Sequence, residues 1–185
     1  MVLPNFILSG FPKCGTTSLH YYLSEHPEIY MPYQKELHFF TNRIFAKNNK
    51  GTGDSILTHT HIKTLNEYQK CFKGGENFKI VGETSPSYIN HPELFKKISK
   101  TLSDPKIIVL IRDPIKRAYS NYLHLLREQR ETLSFEEALS QEEKRKALKY
   151  ADFWYYKFNS TYYEKIRIAK LVFSNVLIIT QEELS

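Results

Sequence analysis

The chain crowds a lysine, three hydroxyl side chains and two glycines into one short stretch, Gly10-Phe-Pro-Lys-Cys-Gly-Thr-Thr-Ser18. An apolar run, Phe6–Ser9, leads into it. A segment with helical patterning, Thr17–Glu25, follows and stops before Pro27. Strand, glycine-bounded loop and helix in that order make an anion cradle, because the first amides of a helix point outward without partners and carry partial positive charge. Lys13 adds a compact cation with three donors. Thr16, Thr17 and Ser18 add hydroxyl and backbone donors beside Gly15. The interval from Gly10 to Gly15 matches a nucleotide-binding P-loop, but Thr16 stands where that loop needs its lysine. A phosphate-like group is therefore expected here, held differently from the way an ATPase holds it.

A second cation stands at the end of another apolar run. Arg112 follows Lys106–Ile111, at the carboxyl end of an expected strand, where open α/β sheets bind ligands. A guanidinium there can grip a phosphate with two hydrogen bonds. The same place argues against an ATPase or kinase, whose strand would end in an aspartate for magnesium. Here Arg112 precedes Asp113.

Three blocks in fixed order resemble one family, the sulfotransferases that use 3′-phosphoadenosine 5′-phosphosulfate (PAPS). Pro12–Leu19 is similar to the family's 5′-phosphosulfate loop, and Val109–Ser120 to its 3′-phosphate element. Lys35-Glu-Leu-His-Phe-Phe40 is similar to a segment of the heparan-sulfate, or glycan, branch. The resemblance implies transfer of a sulfuryl group from PAPS to an acceptor hydroxyl, on a small molecule or a glycan, with no metal required. It implies that Lys13, Gly15, Thr16, Thr17 and Ser18 hold the donor's 5′ side, and that Arg112 and Ser120 hold the 3′-phosphate. Glu36 would be the base, with His38 two residues on, and Lys13 would stabilise the leaving group. Glu83 would be a runner-up base or a substrate contact. Thr84 follows Glu83 where the glycan branch often has a lysine, and Ile168–Phe173 lacks that branch's tryptophan. The chain is expected to be one domain, 1–185, ending at the acidic Gln181–Leu184 without the family's C-terminal segment. Two other readings stay open: a P-loop kinase or NTPase, and an anion- or nucleotide-binding module without turnover.

The elements that must position these groups follow from periodicity. Phe6–Ser9, Lys79–Gly82, Lys106–Ile111 and Val176–Thr180 are short Ile/Val/Leu-rich runs, as in parallel strands covered on both faces. Pro92–Leu102 carries apolar residues at helical spacing. Asp113-Pro114 caps a helix to about Gln129, Ser134-Phe-Glu-Glu137 is a capping box, and Tyr162–Phe173 leads into the last strand. Alternating strands and helices imply an α/β, P-loop-like three-layer fold around a central parallel sheet. Residues 46–61 look like a loop in which His59 and His61 are solvated. Arg117 is expected to be structural, and Trp154 with Tyr155-Tyr156 to be core or pocket wall.

Bulk properties agree. A length of 185 residues with 41% hydrophobic and 25% charged residues suits one globular domain with a real core. The formal charge of +6 favours anionic partners; a nucleotide is expected, and nucleic acid is not. Two cysteines, Cys14 and Cys71, make neither a disulfide framework nor a zinc site. No apolar run approaches the ~20 residues of a membrane span. With no leader before the first strand, a cytoplasmic location is expected, or else an excised luminal Golgi-type catalytic domain.

Overall fold

A computed structural model describes residues 2–55 and 62–184; His59 and His61 lie outside them. Five parallel strands form one sheet, β1 (Phe6–Gly10), β2 (Ile29–Tyr30), β3 (Ile80–Thr84), β4 (Lys106–Ile111) and β5 (Val176–Thr180), in the order β2-β3-β1-β4-β5. Helices flank it, as expected for a P-loop-like α/β fold. All five residues of β1 are buried, which is why its sequence does not alternate.

The order of strands decides where a ligand can sit. From β1 the chain departs toward β3 and β2, and from β4 it departs toward β5, so the connections leaving β1 and β4 diverge. A crevice opens between them at the carboxyl edge. The ladder pairs Phe6 with Lys106 through to Gly10 with Leu110, so both strands end at one level. Gly10 has φ 125°, a backbone region that side chains resist. A Cβ added there would lie 2.7 Å from the Leu110 amide nitrogen and 2.8 Å from its carbonyl oxygen. The strands approach this closely only because Gly10 is bare.

Helix α1 (Thr16–Ser24) starts from Gly15 at φ 96° with no side-chain cap and no acidic residue in its first turn. It is followed by α2 (Asn42–Lys47), α3 (Leu65–Lys70) and α4 (Phe95–Leu102), which buries Phe95, Ile98 and Leu102 on one face. Then come α5 (Pro114–Arg127), α6 (Phe135–Ser140), α7 (Glu142–Ala147) and α8 (Tyr163–Val172). The expected caps are present: Asp113 accepts from the Lys116 amide at 2.8 Å, and Ser134 and Glu137 form a reciprocal box.

Several boundaries differ from the expectation. Strand β3 runs two residues further, so Glu83 lies inside it. The helix expected over Pro92–Leu102 begins as a 3₁₀ turn, Pro92–Leu94, and is α-helical from Phe95. Residues 46 and 47 belong to α2, not to a loop. Helix α3 was not expected, although Thr64-Leu-Asn-Glu67 is a capping box in the sequence and forms one here. Strand β2, two residues long, is too short to leave a periodic signal.

A second core lies beside the sheet, where Ala118, Tyr122 and Leu125 of α5 pack on Trp154, Tyr155 and Tyr156. The Trp154 indole is 2% exposed and donates to Asp54 at 2.9 Å, so it is a core residue.

Gly10→Ala should lower folding stability by about 1–3 kcal/mol through overpacking against the β4 backbone. Urea unfolding followed by circular dichroism reads this out; an unchanged midpoint would refute the close-approach account.

Candidate active site

The carboxyl edge of β3, β1 and β4 borders a cleft of about 900 Å³. Lys13, Gly15, Thr16, Thr17, Glu36, His38, Arg112 and Ser120 all line it. Residues from four separate parts of the chain therefore meet in one place. Ser18 faces an adjoining recess of about 310 Å³, which it shares with Gly15, Arg112 and Lys116. Glu83 is the exception among the sequence candidates.

The loop is built around a buried arginine. Arg117, on α5, is fully buried and has no carboxylate partner among the described residues. Its guanidinium donates to the Pro12 carbonyl at 3.3 Å, the Tyr156 carbonyl at 2.9 Å and the Asn121 side chain at 3.0 Å, and its Nε to Ser160 at 2.7 Å. Burial lowers its pKa to about 10, so it stays charged at neutral pH and ties the loop to two segments of the second core. This is the structural role expected for it. The Cys14 thiol beneath the loop is buried, and burial pushes it up to about 11, so it is a protonated packing group.

Lys13 has φ 70°. Its ammonium lies 3.5 Å from Nδ1 of His124, one α5 turn beyond Ser120. Burial and the charge of Arg127 lower its pKa. Arg112 makes no hydrogen bond or ion pair with other described residues. With the uncapped start of α1, the donors facing the cleft here are amides, hydroxyls, an ammonium and a guanidinium. That is a donor set for phosphate or sulfate.

On the β3 side, Lys35–His38 is held against the strand end. The Glu36 amide donates to the Thr84 carbonyl at 2.6 Å and the His38 amide to Ser85 Oγ at 3.2 Å. Glu36 and His38 have φ 58° and 50°. Ser87 Oγ lies 2.8 Å from His38 Nδ1, and His38 Nε2 lies 3.6 Å from Glu36 Oε2. The Glu36 carboxylate also pairs with Lys35. Burial alone would raise its pKa; the His38 hydrogen bond and the Lys35 and His38 charges outweigh burial and hold it at about 2. Glu36 is thus ionised at any working pH.

Glu83 does not line the cleft. It is fully buried, and its carboxylate accepts from Ser85 at 2.6 Å, from Tyr88 at 2.8 Å and from Tyr68. Burial raises its pKa despite those hydroxyls. The extra length of β3 carries it inside, away from any acceptor, so the expected substrate contact or second base is corrected to a support beneath Ser85 and hence His38. Cleft residues that sequence reasoning missed include His124, Glu128, Arg130, Asp152 and Phe153. Ser120 and His124 of α5 and its C-cap Glu128 recur every fourth residue, which is the one signal that could have found His124 and Glu128.

Among the described residues no group of three or more His, Cys, Asp or Glu side chains could hold a metal ion. No described helix is long and apolar enough to cross a membrane.

A parallel sheet with an uncapped, glycine-led helix and two cations at its switch point defines a P-loop-like anion-binding protein. Residues 4–177 match the Sulfotransferase family, and the chain belongs to it. It is similar to a sulfotransferase structure from Alicyclobacillus acidocaldarius, with a TM-score of 0.95 and 38% identity, covering 100% of this chain and 75% of that one. It is 37% identical over 122 residues to the membrane-associated sulfotransferase kil1 of Dictyostelium discoideum, which is 66% of this chain and 23% of that protein. Mouse heparan sulfate glucosamine 3-O-sulfotransferase 3B1 is 31% identical over 134 residues, 72% of this chain and 30% of that protein. The chain thus spans less than a third of the length of these two relatives. Family membership implies a sulfonate donor.

The cleft residue Asp152 contacts a buried histidine that should set stability at alkaline pH. His91 lies 3.2 Å from both Asp152 and Glu93; burial would lower its pKa, but the two carboxylates outweigh burial and raise it to about 9. A raised histidine stabilises the fold fully below its unfolded value of ~6.5. That contribution, up to about 3 kcal/mol, should disappear as pH climbs through about 9. Thermal unfolding from pH 6 to 10 should show the decline, and Asp152→Asn should flatten it; a decline of equal size in the variant would contradict the assignment.

Proposed function

We propose that this chain is a sulfotransferase domain that uses PAPS and sulfates an acceptor hydroxyl. The observation that carries this reading is the order of groups along one sheet edge. Glu36 and His38 stand at the end of β3, the lysine loop at the end of β1, and the guanidinium of Arg112 at the end of β4. A proton acceptor and an anion clamp therefore flank one phosphate loop.

The donor set fits PAPS, which supplies an activated sulfuryl group and leaves as adenosine 3′,5′-bisphosphate. Arg112 and Ser120 hold the 3′-phosphate. Gly15, Thr16, Thr17 and Ser18 present amides and hydroxyls to the 5′ side. Glu36 takes the proton from the acceptor hydroxyl as its oxygen bonds to sulfur. The sulfur–oxygen bond to the 5′-phosphate breaks, and Lys13 neutralises the charge left on that phosphate. Catalysis here is positioning plus preorganised charge. A carboxylate held near 2 is a weak base in the open cleft. An acceptor that displaces water from it strengthens its pull on the proton.

Arg112→Ala should weaken adenosine 3′,5′-bisphosphate by about 1.5–3 kcal/mol, the worth of a charged hydrogen bond, and leave 5′-AMP nearly unchanged. Calorimetric titration tests this, with ATP plus magnesium as the comparison for a kinase-like site. Equal losses for both nucleotides would remove Arg112 from the 3′-phosphate.

Glu36→Gln should cut turnover by about 10²–10⁴-fold while bisphosphate binding persists. Lys13→Ala should reduce both binding and turnover. Radiolabelled sulfate transfer is the measurement. Near-normal turnover in Glu36→Gln would eliminate that base, and an inactive wild-type chain that still binds bisphosphate would mark a binding module.

A further inference from the structure

The walls of the cleft beyond the loop, Arg112 and Ser120 have a charge balance that the chain as a whole does not. Their charged side chains are Lys35, Arg130, Glu36, Glu128 and Asp152. Two cations face three carboxylates, in a molecule of formal charge +6. The walls that would receive an acceptor are thus poorly matched to a polyanion.

Neither cation is available to one. Lys35 is paired with Glu36. Arg130 is engaged by its own surroundings: Nε donates to the Thr52 carbonyl at 2.7 Å, Nη2 donates to Asp54, and Nη1 lies 3.5 Å from Glu128. Asp54 is fully buried and also accepts from the Gly51 amide, the Ala151 amide and the Trp154 indole, at 2.9, 2.7 and 2.9 Å. Moving Arg130 toward an acceptor carboxylate would leave a buried carboxylate without its cation, which is costly. Glu128 also lies 3.0 Å from His124 Nε2, and Asp152 lies 3.2 Å from His91. Phe45 and Phe153 supply the apolar surface of the same walls.

We propose that the acceptor is an uncharged sugar, with no carboxylate or sulfate near the reacting hydroxyl. The wall carboxylates suit sugar hydroxyls as hydrogen-bond acceptors, and the Phe153 ring suits the apolar face of a pyranose. An anionic glycan meets three wall carboxylates and two wall cations that are already committed to internal pairs, and discrimination comes from that shortage of available positive charge. This proposal rests on the sulfuryl-transfer reading above. It separates the chain from the 3-O-sulfotransferase relatives, whose name gives heparan sulfate as acceptor.

The test is direct binding of two sugars of equal length to the chain loaded with adenosine 3′,5′-bisphosphate. One is tetra-N-acetylchitotetraose, which is neutral. The other is a heparosan tetrasaccharide, which carries carboxylates. The neutral sugar should bind at least about tenfold more tightly at low salt, where like-charge repulsion is least screened. Raising salt should narrow the gap by strengthening the heparosan arm. Glu128→Gln should narrow it too, because Glu128 is an exposed wall carboxylate whose loss leaves Arg130 with a free donor. Tighter binding of heparosan, or no measurable binding of the neutral sugar, overturns the proposal. The bisphosphate titration is read first: failure to bind there would sink the sulfuryl-transfer reading, and the sugar preference would then be measured on the unloaded chain.

Discussion

The bare Cα of Gly10 against the Leu110 backbone is the contact on which the site depends. It lets β1 and β4 pair to their last residues and end side by side. Their continuing segments then diverge, and the loop at Phe11–Gly15 opens beside Arg112. Phe11 still donates to the Leu110 carbonyl at 3.2 Å, so the ladder extends one step into the loop. A side chain at Gly10 would push the strands apart and separate the ammonium of Lys13 from the guanidinium of Arg112. Arg117 then fixes the loop from beneath, making no ion pair with a described carboxylate and donating to carbonyls and a side-chain amide instead.

Strain is concentrated where the chemistry is proposed. Seven described non-glycine residues have positive φ, and Lys13, Glu36 and His38 are three of them. Such conformations cost of order 1–3 kcal/mol each and persist only where the surroundings hold them. The holders are visible here. Arg117 holds the loop through Pro12. Thr84, Ser85 and Ser87 hold Glu36 and His38, with Ser85 itself anchored to the buried carboxylate of Glu83. Glu83 thus acts through packing and hydrogen bonds, two links away from the cleft.

Charge is divided across the cleft in the same manner. The donor side presents Lys13 and Arg112 without carboxylate partners among the described residues, whereas the opposite walls pair every cation with an acid. In the proposed reaction a leaving bisphosphate would need uncompensated positive charge, and a neutral acceptor would not. Both demands are met within one cleft because the sheet separates its edges: β4 and β1 carry the cations, and the β3 end carries the carboxylate.

The sequence by itself determined the local pieces. Gly10, Gly15 and Lys13 marked the loop, Asp113-Pro114 and Ser134–Glu137 marked helix starts, and the apolar runs marked four of the five strands. Each is a local rule, because caps, glycine torsions and periodicity act over a few residues. The family resemblance, carried by three blocks, added the expected roles. Only the tertiary structure decided which residues meet. It took Glu83 out of the cleft by lengthening β3 two residues, brought in His124, Glu128, Arg130 and Asp152, and engaged Arg130 with an aspartate 76 positions away. Burial and long-range pairing are properties of the packed chain, and no spacing along the sequence encodes which charge is already compensated.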